Sequence, residues 1–217
     1  MPDPSRPVQL DAYPSYLWLK ERIDAYLALL ALILLAPLLL ALAVMIRRDS
    51  PGPAIFRQAR AGKNGRPFTL FKFRTMRTET DPFGDSPSNG ADPRLTRFGR
   101  WLRETSLDEL PQLLNVVRGE MALIGPRPLY LQQMAEWSPR HRSRLLVKPG
   151  LTGLAQINGR GGITIEEKLE WDVRYVQTAS LRNDAGILWH TLRGVVKRSG
   201  IYEVQYSQTR KHRKGHP

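Results

Sequence analysis

Apolar and polar positions divide the chain into segments of different period. From Ala25 to Ile46, 22 consecutive residues lack Asp, Glu, Lys and Arg. As a straight helix this run would reach about 33 Å, against a bilayer hydrocarbon core of about 30 Å. A soluble core helix of that length, apolar on every face, is unusual. Asp49-Ser50-Pro51-Gly52-Pro53 then ends it with a turn cluster. A period of two follows: Ala54 to Gln58 and Pro67 to Met76 read as strands joined by the turn Gly62-Lys63-Asn64-Gly65. In the second strand Lys72, Arg74 and Met76 share one face, and Phe71, Phe73 and Thr75 the other.

Residues 79 to 93 are polar and rich in Gly, Pro and Ser, hence a loop. Helical spacing returns at Arg94 to Arg103, where Leu95, Phe98, Trp101 and Leu102 oppose Arg97, Arg100 and Arg103. That composition suits a helix lying at a lipid surface and equally one packed on a core. Ser106 to Val116 continues with helical spacing. Ser106 and Glu109 stand as a capping box, Pro111 fits a first turn, and Asp108 is left surplus. Leu129 to Val147 reads as two helices broken at Ser138-Pro139. Glycine turns at 149–153 and 158–162 bound a short strand, Leu154 to Ile157, and the second presents Arg160 beside exposed amides as a candidate phosphate site. Ile165 to Val176 and Ala185 to Val196 are helical.

These elements make an α+β chain, predominantly helical: an N-terminal membrane helix, amphipathic interface helices, and small hairpin and strand elements. Its expected division is an irregular arm over 1–19, a membrane element over 20–48 with Pro37 at its bend, a catalytic domain over 49–200 and a basic tail over 201–217. Lys20 and Arg22 flank one end of the membrane element and Arg47 and Arg48 the other, so charge asymmetry assigns no direction. A hairpin bent at Pro37 and a Pro-kinked span both satisfy the pattern. Ala41-Leu42-Ala43 resembles a signal cleavage site, but the apolar run exceeds a signal core.

Formal charge is +13 and the sequence pI about 10.5, which calls for an anionic partner: nucleic acid, lipid surface or phosphorylated substrate. Cysteine is absent, excluding disulfides, thiolate nucleophiles and Cys-ligated zinc, and the four histidines form no ligand pattern. No P-loop, dinucleotide fingerprint, nucleophile elbow or zincin motif occurs. Carboxylates are therefore the credible nucleophiles and metal ligands. Asp108 and Glu109 are adjacent, and Arg127 stands between Pro126 and Pro128. Aspartate can attack phosphorus to give an acyl phosphate, provided cations or Mg²⁺ let the two anions meet. This predicts phosphoryl transfer at a membrane surface. Basic and aromatic alternation from Phe71 to Arg74 also suits a membrane-anchored nucleic-acid binder, though without the RNP signature, and a non-catalytic scaffold is the bland rival.

Lys72-Phe73-Arg74-Thr75-Met76, Thr105 to Leu113, Gly125-Pro126-Arg127-Pro128 and Pro149 to Arg160 together resemble the bacterial sugar transferase family, the monotopic phosphoglycosyl transferases. The resemblance runs from about Lys20 to about Gly200. It implies transfer of a sugar 1-phosphate from a UDP-sugar to polyprenyl phosphate with release of UMP, as the first membrane step of capsule, exopolysaccharide, O-antigen or glycoprotein assembly. It implies Asp108 as the nucleophile of a ping-pong scheme, and Glu109 assisting with Mg²⁺, so that both carboxylates are candidate metal ligands. Lys72, Arg103, Arg127 and Arg160 match basic family positions near the bound phosphates, and Arg74 joins them as Lys72's neighbour on the strand face. Asp172 and Asp184 match acidic positions with supporting roles. The implied partners are the bilayer, UDP-sugar and polyprenyl phosphate, without nucleic acid; a homodimer is compatible with them. The implied place is the cytoplasmic face of the bacterial inner membrane. The resemblance implies a one-sided, re-entrant helix hairpin over 20–48 and not a span; the family's helix bends at Ser-Pro, whereas this chain has Ala36-Pro37, and Asp184 is followed by Ala185-Gly186 instead of an apolar-basic pair. The chain resembles the minimal catalytic form.

Overall fold

A computed structural model describes residues 3, 5–8, 14–84, 86–159 and 162–197. The charge-free run lies inside one helix, α1 (Pro14–Asp49), which continues through Pro37. It begins earlier than the irregular arm over 1–19 allowed for. Pro14 opens it, where a missing N–H breaks no intrahelical bond. The turn that follows matters for the domain: Tyr16 and Leu17 pack against the core, and Lys20 and Asp24 are buried as an ion pair. Burial then recurs at Ala28, Leu42 and Ile46, with Ala31, Leu32, Leu35, Leu39 and Ala43 half-buried between them. The spacing is that of one helix face. The other face is equally apolar but exposed, through Leu30, Ile33, Leu34, Leu38, Leu40 and Met45 among others. Ala36 and Pro37 are exposed.

The expected hairpin is present. Strands β1 (Ile55–Ala61) and β2 (Pro67–Phe73) pair antiparallel from Ile55↔Phe73 to Ala61↔Pro67, turning through Asn64 at φ 57°. Helix α2 (Arg97–Glu104) is capped by Thr96, whose hydroxyl accepts from the Gly99 N–H. Its apolar face is divided: Leu102 is buried and Phe98 packs beside it, while Trp101, stacked on Phe98, is 40% exposed. A 3-10 turn, Leu107–Gln112, leads into α3 (Leu113–Val117). Asn115 ties this segment to the hairpin: its amide donates to the Thr69 carbonyl at 2.7 Å and its oxygen accepts the Phe71 N–H at 3.1 Å.

Beyond α3 the structure departs from the periodicity. A short parallel pair, β3 (Ala122–Ile124) and β4 (Gly150–Thr152), lies where no strand was expected. The 129–147 region is mostly 3-10 turns around α4 (Pro139–Arg142), whose N-cap is Ser138 as the break predicted. Leu154–Ile157 is a helical turn, α5, and not a strand. The chain has already spent its extended backbone at β4, where Gly125 and Gly150 cross so closely that a Cβ on Gly150 would stand 2.1 Å from the Gly125 nitrogen. Helices α6 (Ile165–Thr178), with a Thr164/Glu167 capping box, and α7 (Leu181–Lys197) follow near their expected limits. The basic tail lies outside the described residues.

Three of the four apolar clusters include α1. Tyr16 and Leu17 join Tyr175, Val176 and Ile187; Ala28 joins Leu113, Val116 and Met121; Leu42 and Ile46 join Phe73 and Leu102. The apolar helix is thus part of the core along most of its length.

Candidate active site

Ser106 does not cap a helix. It adopts a left-handed conformation, φ 59° and ψ 14°, and makes no side-chain capping bond. That geometry costs a non-glycine residue about 1–2 kcal/mol. It redirects the chain after α2 so that the following 3-10 turn lies against β2 and carries Asp108 inward. Pro111 is accommodated within this turn, and the α-helix starts only at Leu113.

Asp108 is 4% exposed. Its Oδ2 stands 3.7 Å from Lys72 Nζ, and among the described residues it accepts no hydrogen bond. Glu109 turns the other way and pairs with Arg127 at 3.1 Å. Arg103, in the last turn of α2, has a buried Nη1 without a hydrogen-bond partner. Burial pushes the Asp108 carboxyl up; Lys72 pulls it back most strongly, Glu109 adds to the rise, and Arg103 and Arg127 oppose it. The same burial lowers the Lys72 ammonium, against the attraction of Asp108. Lys72, Arg103 and Arg127 set three cations against the two carboxylates Asp108 and Glu109, so an additional anion would meet surplus positive charge there.

These groups line a cleft of about 1510 Å³. Its lining includes Ala43 and Arg47 of α1, Lys72, Arg103, Asp108 and Arg127, and Gln156, Asp172 and Leu192. So the structure gathers Lys72, Arg103, Asp108, Glu109 and Arg127, as expected. Arg74 differs. It borders the cleft, but its Nε donates to the Pro53 carbonyl at 2.8 Å, and Nη1 and Nη2 donate to the Ser50 hydroxyl and carbonyl at 2.6 and 2.8 Å. Its guanidinium clamps the end of α1. Arg160 lies outside the described residues.

The supporting acids act at one remove. Asp172 Oδ2 binds Arg144 at 2.6 Å, both side chains being 2% exposed, and Arg144 also donates to the Arg127 carbonyl. The Pro126 carbonyl accepts from the Gly150 N–H and the Pro128 carbonyl from Arg60, which fixes the loop on both sides of Arg127. Asp184 accepts from the Tyr16 and Tyr175 hydroxyls at 2.8 and 2.9 Å and lies 3.4 Å from Lys20, tying α7 to α1. Ala36 and Pro37 do not border the cleft. Arg144, Asn115 and Gln156 escaped the sequence reading. Arg144 lies in the basic stretch Arg140-His141-Arg142-Ser143-Arg144, and nothing in the sequence marks which member turns inward.

Among the described residues no three metal-ligating side chains cluster. Asp108 and Glu109 are adjacent in the chain but face different cations, Lys72 and Arg127.

Residues 15–198 match the bacterial sugar transferase family. The chain belongs to that family. The transferase is 42% identical to the uncharacterized sugar transferase EpsL of Bacillus subtilis, aligning 87% of this chain with 92% of that one. It is 43% identical to a UDP-glucose:undecaprenyl-phosphate glucose-1-phosphate transferase of Caulobacter vibrioides, over 84% of this chain and 72% of the relative. An Escherichia coli transferase of the same description is 40% identical over 80% of this chain, which spans 39% of that longer protein. The transferase is accordingly a phosphoglycosyl transferase enzyme.

Proposed function

We propose that the enzyme transfers a sugar 1-phosphate from a UDP-sugar to undecaprenyl phosphate, giving the polyprenyl-diphosphate-sugar and UMP. The observation that carries this is the buried Asp108 carboxylate facing Lys72, with the unpartnered Arg103 nitrogen beside the same cleft. An Asp108 oxygen attacks the sugar-bearing phosphorus; that P–O bond forms as the bond to the UMP oxygen breaks, and the electron pair leaves with UMP. The lipid phosphate oxygen then attacks the same phosphorus, and the Asp108 carboxylate leaves. Lys72, Arg103 and Arg127 offset the charge of two anions brought together. Asp108 and Glu109 would hold Mg²⁺ with the diphosphate, and the ion supplies further charge neutralisation there. The backbone carbonyl of Arg127, gripped by the Arg144–Asp172 pair, keeps that guanidinium in place.

Packing supports a one-sided membrane arrangement. Helix α1 is about 54 Å long by its 36 residues, enough to cross a bilayer. Yet the domain grips it at Tyr16, at Ala28 and at Ile46. A crossing helix would strand part of that domain in lipid. Insertion into one leaflet, with both ends on the cytoplasmic face of the inner membrane, leaves only the exposed apolar face against lipid. Pro37, exposed between two packed stretches, suits the bend of such a re-entrant helix. The nucleic-acid reading is disfavoured by Phe71, whose ring carries Arg118 and Arg57 at 4.9 and 5.8 Å, where a base would stack.

The test is UMP release from UDP-sugars with undecaprenyl phosphate, together with acid-quench capture of a phosphosugar-protein adduct. Asp108→Asn is expected to abolish both. Retained turnover in that variant removes the nucleophile.

A further inference from the structure

We infer that Gln156 and Asp172 form a subsite that reads a pair of adjacent hydroxyls on a sugar ring. Both line the cleft that holds Asp108. Gln156 Oε1 and Nε2 are both buried without a hydrogen-bond partner, and so is Asp172 Oδ1, although its Oδ2 is held by Arg144 and the backbone amide of Arg127 faces the carboxylate. Buried polar atoms left unpaired destabilise a ligand-free fold, and most native proteins satisfy nearly all of them. Three such atoms on packed neighbours, α5 and α6, bordering one cleft, mark the place of a polar ligand.

Its chemistry follows from the atoms. A carboxylate oxygen accepts only; an amide offers one acceptor and one donor group. Phosphate would be repelled by Asp172, whose cation Arg144 is already committed. A hydrocarbon chain would leave all three atoms unpaired. Hydroxyls donate and accept, and two on adjacent carbons can engage a carboxylate oxygen and an amide together. The frame is rigid: Asp172 receives bonds from Arg144 Nε at 3.0 Å and Nη2 at 2.6 Å. Gln156 Oε1 lies 3.1 Å from where a Cβ on Gly153 would stand, so even alanine there would crowd the amide.

The diol belongs either to the nucleotide's ribose or to the transferred sugar, and the inference rests on the sugar-phosphate transfer proposed above. Full-length Asp108→Asn protein in detergent, which cannot turn over, is titrated calorimetrically with UDP, 2′-deoxy-UDP, UDP-glucose and UDP-galactose, with and without Gln156→Leu. If the ribose is read, Gln156→Leu weakens UDP about tenfold, or about 1.4 kcal/mol, and abolishes discrimination against 2′-deoxy-UDP. If the transferred sugar is read, UDP is unaffected and one or both UDP-hexoses weaken about tenfold. In either case the ligand-free Gln156→Leu protein melts no lower than its parent, because an unpaired amide has been removed. Unchanged affinity for all four ligands overturns the subsite, as does a lower melting temperature accompanied by uniform loss of binding. Failure of both this parent and the wild-type protein to bind UDP overturns the transfer reading as well, which separates the two failures.

Discussion

The Arg144–Asp172 pair offers a quantitative test of how the site is held. Both side chains are 2% exposed and meet at 2.6 Å; the guanidinium also lies 4.9 Å from the Trp137 ring and donates to the Arg127 carbonyl. Arg144→Met keeps much of the volume and removes the charge. Leaving a buried partner uncompensated costs about 3–5 kcal/mol. The lower end applies, because burial already pushes the Asp172 carboxyl up, and it can take a proton instead of remaining ionised. For a chain of this size about 3 kcal/mol lowers Tm by about 6–12 °C, readable by tryptophan fluorescence during thermal unfolding in detergent. Arg144→Met/Asp172→Leu removes both charges and is expected to recover most of that loss, since apolar replacement of a buried pair is often neutral or better. UMP release should stay low in both variants, because Arg127 has lost its anchor. A single variant melting within 2 °C of wild type, or a double variant no more stable than the single, would refute the buried-charge argument.

Lys72→Met should lower kcat for UMP release by about 10²–10³-fold and move the acid limb of the pH profile upward, since Lys72 is the main group holding the Asp108 carboxyl down; a change in KM alone contradicts this. Acidification should separate stability from activity. Burial holds Asp108, Asp172 and Asp184 above the ordinary value of 3.8. A group raised in this way stabilises fully below its unfolded value and loses that contribution as pH rises through its folded value. From neutral pH downward, these three groups should therefore favour a higher Tm of the ligand-free protein until the paired, lowered carboxylates Glu21, Asp92 and Glu170 begin to protonate, while UMP release falls as Asp108 takes up its proton; UMP release that does not fall over that range would refute the assignment. Arg6→Cys and Arg48→Cys should label from the same side of sealed inverted vesicles, and labelling from opposite sides establishes a span.

The long-period features were legible before the structure. The Ala25–Ile46 run, the hairpin around Asn64, α2, α6 and α7 each repeat an apolar pattern over enough residues to declare a face. The short elements did not. Three-residue β3 and β4 are defined by the approach of Gly125 to Gly150, a contact between residues 25 apart. The same holds at the site. Asp108, Glu109, Lys72, Arg103 and Arg127 could be nominated by residue type and by resemblance, but their partners could not be read. Arg74 and Lys72 share a strand face in sequence, yet Arg74 turns to Ser50 and Pro53, because the turn that follows α1 presents carbonyls there. The apparent capping box at Ser106 misled because local pattern ignores the turn that β2 and α2 impose.

The packing of α1 bears on how the protein is made. Its residues leave the ribosome before every strand and helix they later contact, and they are apolar on the face destined for the core as well as on the face destined for lipid. The early chain thus has no completed domain to fold against until β2, α3 and α7 are synthesised, and the residues after Asp49, expressed by themselves, would lack a wall of three of their apolar clusters.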